Sequence, residues 1–206
     1  MSLPNPERRL VLQAALALSG GLLLRISPSA ASAADAAARF NAYLEITPDG
    51  RIRITSPQSE MGQGIHDALA KILAEELEAD WSDVDIVLPT ADDGLINPVT
   101  RRHRTAASES VVIYRDVMRR LGASAREMLL QAASDRWQVD VSECSAERSA
   151  IHHRATGRQL SYATLALAAA ALPVPERARF KEPQDYRLVG HTTPRKDTPP
   201  KVTGRA

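Results

Sequence analysis

The chain has 206 residues, 44% hydrophobic and 25% charged, a balance that excludes a wholly disordered polypeptide and suffices for one domain or a large piece of one. Lys and Arg total 26 against 25 Asp and Glu, so a net charge of +1 gives no global attraction to nucleic acid or to an acidic membrane surface. The single cysteine, Cys144, excludes an internal disulfide, and an aromatic content of 4% leaves alanine and aliphatic side chains to fill the core.

In chain order, Arg8 and Arg9 stand directly before an uncharged apolar run, Leu10 to Leu24. The run is short for a bilayer-spanning helix, which needs about 20 residues, and Ser19, Gly20 and Gly21 weaken it further. Paired arginines, a short apolar core, Arg25 after it and the small-x-small pattern Ala31-Ser32-Ala33 have the organisation of a twin-arginine export signal over 1–33, cleaved after Ala33. An amphipathic N-terminal helix or an uncleaved anchor is the competing reading. The twin-arginine route carries proteins already folded around a cofactor, so a periplasmic location and a cofactor are both expected, with membrane association only through the signal.

Asn41 to Thr47 and Arg51 to Ser56 alternate apolar and polar residues about a Pro48-Asp49-Gly50 turn, which predicts a β-hairpin. A helix from Ile65 to Leu77 follows, with Ile65, Leu69, Ile72, Leu73 and Leu77 on the buried face and Asp67, Lys71, Glu75 and Glu78 on a solvated one. Val84 to Leu88 reads as a third strand, and Pro89 to Arg104 as a long loop. From Ser108 to Trp137, apolar residues at Val111, Tyr114, Met118, Leu121, Ala125, Met128 and Ala132 predict a long helix. Its stripe suits a coiled-coil seam or, given the alanines and Gly122, close packing inside a domain. A small hairpin over Ile151 to Leu160 and an alanine-rich helix capped by Ser161 and stopped by Pro173 complete the pattern. The fold class is α+β, a small mixed or antiparallel sheet with packed helices. Residues 34–172 form the domain, and 173–206, with no sustained periodicity, an extended connector.

Chemical content concentrates at Glu60, Met61, Gly62, Gln63 and Gly64, between a strand and a helix N-terminus. Glycines there permit positive φ and close backbone approach, the helix start directs N–H groups outward, and Gln63 carries an amide donor, so the turn suits an anionic or oxo ligand. A tight turn with glycine for steric reasons alone is the plain alternative. Arg101, Arg102, His103 and Arg104 suit a phosphate or simply a solvated loop. His152 and His153 point to opposite faces of one strand and read as surface residues. Cys144 beside Glu143 lacks an activating base, and Ser108 and Ser110 read as helix caps. No metal-ligand spacing and no nucleophile constellation is visible.

Glu60 to His66 (EMGQGIH), the preceding ITPDGRIRITSPQS, and AEELEADWSDV after it resemble the molybdenum-binding large subunits of the xanthine oxidase and aldehyde oxidase superfamily, closest to the isoquinoline 1-oxidoreductase beta-subunit family. LGASAREMLLQAASDRW, GRQLSYATL, DYRLVG and DTPPKVTGRA extend the resemblance along nearly the whole chain after the signal. It implies molybdopterin with molybdenum, in a cytosine dinucleotide form or without it, bound beside Gln63, with Gly62 and Gly64 allowing close approach. It also implies hydroxylation of an aldehyde or N-heterocycle with oxygen from water, and electron transfer to an iron-sulfur small subunit. The chain departs from the family at Arg101 to Ser110, where a glycine- and serine-rich stretch is usual, and the family's glutamate base lies beyond the matching region. The chain therefore reads as a fragment, a truncated frame, split gene or partial record, that needs the C-terminal domains of the same subunit and is not expected to catalyse alone. A non-catalytic exported remnant or interaction module is the alternative. The outer faces of the hairpin and of the long helix are expected to be unusually apolar, as surfaces the rest of the subunit would cover.

Overall fold

The computed structural model describes residues 38–88 and 95–205; the export signal expected over 1–33 lies outside them. Strands β1 (Ala38–Arg39), β2 (Leu44–Ile46), β3 (Ile52–Thr55) and β4 (Val84–Val87) form one sheet in the order β1-β2-β3-β4. The first three pair antiparallel, and β3 pairs parallel with β4 through the intervening helix α1 (Ile65–Leu77), so the sheet is mixed. Strand period two explains its faces. Leu44, Ile46, Ile52, Ile54 and Val84 are buried in the core, while the outward residues Glu45 and Arg53 are register partners 3.5 Å apart as an ion pair, and Arg39 approaches Glu45 to 3.3 Å. The hairpin's outer face is therefore charged, contrary to the expectation that it would be apolar.

The long helix α2 (Ser110–Trp137) crosses α1 closely enough that a Cβ at Gly122 would stand 2.3 Å from the Leu73 carbonyl oxygen and 2.9 Å from Glu76 Cβ. Of the apolar stripe, Tyr114, Met118, Leu121, Ala125, Met128 and Ala132 are buried, so its role is core packing and not a coiled-coil seam; Val111 is the exception, at 40% exposed. Each large aliphatic side chain so enclosed contributes roughly 1.5–3 kcal/mol. The helix starts two residues later than the sequence suggests because Ala107 and Ser108 both take φ near 55°. Neither serine caps it: the position before α2 is Glu109, without a side-chain cap, and Ser110 Oγ instead donates to Gln58 Oε1 at 2.8 Å.

A second sheet, β5 (Cys144–Glu147), β6 (Ala150–His153) and β7 (Arg158–Ser161), is antiparallel throughout. Arg148 and Ser149, φ 46° and 59°, make the two-residue β5–β6 turn. Ser149 justifies its left-handed backbone by docking: its N–H donates to Glu78 O at 3.0 Å, its carbonyl accepts from Tyr162 N at 2.9 Å, and its Oγ accepts from Asp80 N at 2.9 Å. Helix α3 (Tyr162–Ala170) begins at Ser161, whose Oγ accepts from Thr164 N as the sequence predicts, and Tyr162 Oη donates to Leu77 O at 2.6 Å.

The face of α1 assigned to solvent is covered. Asp67, Glu75 and Glu76 are 4%, 2% and 0% exposed. The cause is the segment after Pro173, which runs back across α1 and supplies donors. Glu75 accepts from Lys181 Nζ and from the backbone N–H groups of Arg187, Leu188 and Val189. Glu76 accepts from Arg119 Nε at 2.7 Å and Lys181 N at 2.9 Å, and Asp67 from Lys196 N at 2.9 Å. Arg119 is itself sandwiched by Phe180 and Tyr186, 4.4 and 5.9 Å from the ring centroids. The segment ends in a short helix, α4 (Thr198–Val202). No helix among the described residues is long and apolar enough to cross a membrane.

Candidate functional site

The stretch from Ser56 to Gly64 joins β3 to α1 and reaches solvent at Met61, Gly62 and Gln63. Gly62 and Gly64 take φ of 97° and 80°, the left-handed region, and Gly64 is the residue on which α1 opens. Gln63 is folded back over the turn. Its Nε2 donates to Ser59 O at 2.9 Å and its Oε1 accepts from Met61 N. One Nε2 hydrogen is thereby engaged, and the residue as a whole is exposed.

Three of the N–H groups that the sequence reading left open to a ligand are taken. Glu60 Oε1 accepts from Gly62 N and Gly64 N, both at 2.8 Å, and Oε2 from His66 N at 3.2 Å. Burial pushes this carboxyl up, but the three N–H donors and Arg195 overcome it and hold Glu60 below the usual carboxylate range. The helix N-terminus thus already holds an anion, the chain's own.

The floor under the turn is polar and buried. Gln58 is 3% exposed; its carbonyl accepts from Ser56 Oγ at 3.2 Å and lies 2.9 Å from His66 Nε2, and its side chain meets Ser110 of α2. The loop carrying Arg101 to Arg104 is tied to the same place, because Ser59 N donates to Thr105 Oγ1 at 2.8 Å. Asn97 folds this loop by accepting from Val99 N and Thr100 N, both at 2.9 Å. Arg101, Arg102, His103 and Arg104 are exposed, and Arg104 lies 3.8 Å from Glu109. Exposed apolar side chains gather at this end of the molecule: Met61 on the turn, Val87 and Leu88 where β4 leaves Ser56, and Val111 and Val112 at the start of α2. Along α2, apolar exposure is thus confined to its start.

Two other sequence candidates lie far from the turn in the chain. His153 is not a surface residue: it is 3% exposed because Trp137, at the end of α2, covers it with ring centroids 6.0 Å apart. Its Nδ1 is 2.7 Å from Thr156 Oγ1 and its Nε2 3.3 Å from Glu143, so it pins the second sheet, while half-buried His152 points the other way. Burial and neighbouring Glu143 push the Cys144 thiol up, which keeps it unreactive. Among the described residues no group of His, Cys, Asp and Glu is placed to hold a metal ion.

Comparison with known proteins places the chain. A family model described as a molybdopterin cofactor-binding domain matches residues 18–203. The chain belongs to this family. An isoquinoline 1-oxidoreductase subunit beta from Brevundimonas diminuta is 34% identical across 83% of this chain and 26% of its own length. A membrane-bound aldehyde dehydrogenase of Gluconacetobacter polyoxogenes, whose name also gives pyrroloquinoline quinone, is 31% identical across 80% of this chain and 21% of its own. The crystal structure of quinoline 2-oxidoreductase from Pseudomonas putida 86 aligns with 63% of this chain and 16% of its own, at 20% identity and a TM-score of 0.48. The chain spans about a quarter of the length of the first of these curated relatives and less of the second.

The turn fits a molybdenum cofactor in one respect and not in another. It offers an exposed, oriented amide donor with open space beside Gly62, where an added Cβ would meet nothing within 4 Å. It offers no open backbone cradle for a phosphate, since Glu60 fills it. A hydrogen bond to an oxo group is within its chemistry; phosphate binding at the same N–H groups is not.

Proposed function

We propose that this chain is the N-terminal part of a molybdenum hydroxylase subunit that oxidises an aldehyde or an N-heterocycle. The overall change inserts an oxygen atom from water into a C–H bond, releasing two electrons and two protons. The remaining domains of the subunit would supply the glutamate base and the phosphate-binding loops, and an iron-sulfur small subunit would take the electrons. Aldehyde and N-heterocycle are the two substrate classes named by the curated relatives described above. The observation that carries the reading is the family match over 18–203 together with the exposed, oriented amide of Gln63.

When bound, molybdopterin with its molybdenum, here proposed in the cytosine dinucleotide form, supplies the oxidative chemistry. This chain's part is orientation. Gln63 Nε2 would donate its second hydrogen to the cofactor, and the bond to Ser59 O fixes the side-chain amide before the ligand arrives. Gly62 lets the backbone stand close without a side chain between. The segment alone is proposed to be inactive, and the twin-arginine signal over 1–33 is proposed to carry the folded, loaded protein to the periplasm.

The test is molybdenum and pterin content of the protein from its native host, wild type against Gln63→Ala, with every co-purifying polypeptide identified and its compartment recorded. Stoichiometric metal and pterin with a large partner chain, both reduced in the variant, support the proposal. A metal-free and partner-free product overturns it in favour of a non-catalytic exported remnant.

A further inference from the structure

A donor such as Gln63 is useful only if the turn beneath it keeps one shape, and the turn has little of its own to do so. Gly62 and Gly64 contribute no side chains, and Gly62 touches nothing where a Cβ would be. The shape is held by two charged residues, one within the turn and one far along the chain. Glu60, its side chain 8% exposed, gathers the N–H groups of Gly62, Gly64 and His66 onto one carboxylate. Arg195, far along the chain, closes over the top: its Nη2 lies 3.3 Å from Glu60 Oε1, and its Nη1 donates to Gly62 O at 3.3 Å. The guanidinium is aimed by Asp197 in a two-pronged pair, Nε to Oδ1 at 2.8 Å and Nη2 to Oδ2 at 2.6 Å. The neighbouring backbone is fastened to α1, because Lys196 N donates to buried Asp67.

We propose that Glu60 and Arg195 are positioning residues for Gln63, an ion-paired latch by which the segment after Pro173 holds the turn in the shape that presents the side-chain amide. The segment is then part of the site and not only a connector leading away from it. The functional meaning of the latch rests on the reading of Gln63 as a cofactor-facing donor; its existence does not, and the two are separable by experiment.

Amide hydrogen exchange and side-chain amide NMR on the full chain test it, comparing wild type with Glu60→Gln, Arg195→Ala, Arg195→Lys and Asp197→Asn. The expected result for Glu60→Gln and Arg195→Ala is exchange at least about tenfold faster at Gly62, Gly64 and His66, with core amides at Ile54 and Leu73 keeping their wild-type rates. The Gln63 side-chain amide pair, with one proton bonded to Ser59 O, should shift toward the positions of a solvated glutamine. Arg195→Lys keeps the charge but not the planar fork, so it should fall between wild type and Arg195→Ala. Asp197→Asn touches neither Glu60 nor the turn, survives if Glu60→Gln fails to fold, and should loosen the same three amides. Unchanged exchange and unchanged Gln63 signals in Arg195→Ala and Asp197→Asn overturn the latch, as does an equal acceleration at Ile54 and Leu73, which would show general loosening. Failure of the cofactor reading looks different: Gln63→Ala then leaves molybdenum and pterin content unchanged while the exchange pattern stands.

Discussion

The two ends of α1 are secured by opposite means. Its C-terminal half is enclosed on every side, with Leu73 and Leu77 against the sheet, Gly122 of α2 pressed onto the Leu73 carbonyl, and Glu75 and Glu76 held under the returning segment. Its N-terminal end opens on an exposed turn fixed by one carboxylate and one guanidinium. Stability is concentrated at the enclosed end, and the proposed cofactor-facing amide sits on the exposed turn at the other. A substitution at one end should therefore cost folding, and at the other function.

The sharpest way to break this comparison is Gly122→Val. The atom that a Cβ would meet at 2.3 Å is a backbone oxygen, which cannot turn aside as a side chain would. The helices must separate or slide, and a loss above about 4 kcal/mol, at the severe end of overpacking, is expected in urea unfolding. A loss under about 1 kcal/mol would mean the α1–α2 contact yields easily.

Next in size is Glu75→Ala, which leaves three backbone N–H groups without their acceptor and Lys181 Nζ with Glu78 as its remaining carboxylate, 2.8 Å away. About 3 kcal/mol is the cost of breaking such a buried pair, and the segment around Lys181 and Arg187 should become open to trypsin. Its pH dependence has a definite sign. Burial pushes the Glu75 carboxyl up, but Lys181 and the N–H groups of Val189 and Leu188 outweigh burial and hold it below its ordinary value. Its contribution is therefore complete above the pH where an unfolded glutamate titrates, and falls away as pH drops through the lowered folded value. Wild type should gain trypsin sensitivity on acidification, and Glu75→Ala should already be sensitive at neutral pH.

Glu75 also marks the limit of what periodicity reveals. Helix α1 is bounded by Ile65 and Leu77 as the apolar spacing predicts, and the hairpin, the third strand, the long helix and Ser161 as a cap were all legible, while the parallel pairing of that strand was not. Asp67 and Glu75 on α1 were read as solvated because a helical wheel cannot show a segment more than a hundred residues away folding back with donors. Strand β5 was invisible for a local reason: its turn to β6 uses Arg148 and Ser149 at positive φ, where glycine or asparagine would have announced a hairpin. At the candidate site the glycines were legible and the occupant of the helix N-terminus was not. Glu60 lies only two residues before Gly62, and a carboxylate just ahead of a helix start is a signal that could have been read as a cap.

A smaller effect belongs to Tyr162→Phe. The Tyr162 hydroxyl is buried and donates to Leu77 O, where α1 ends and the second sheet docks. Removing it leaves one carbonyl short of a donor while the ring still packs, so about 1–2 kcal/mol is expected. A value near zero would mean that Ser149, which bridges Glu78, Asp80 and Tyr162, carries that junction alone.

The smallest expected change in stability is the most informative. Gln63→Ala removes an exposed side chain whose two hydrogen bonds stay within residues 59–63. Surface substitutions of this kind fall within about 0.5 kcal/mol, and the Glu60 carboxylate keeps its three N–H donors in the variant. Unfolding should thus be indistinguishable from wild type, while molybdenum and pterin content falls. If Gln63→Ala instead unfolds the protein as Glu75→Ala is expected to, the turn is a structural element like the other end of α1, and the division between the two ends disappears.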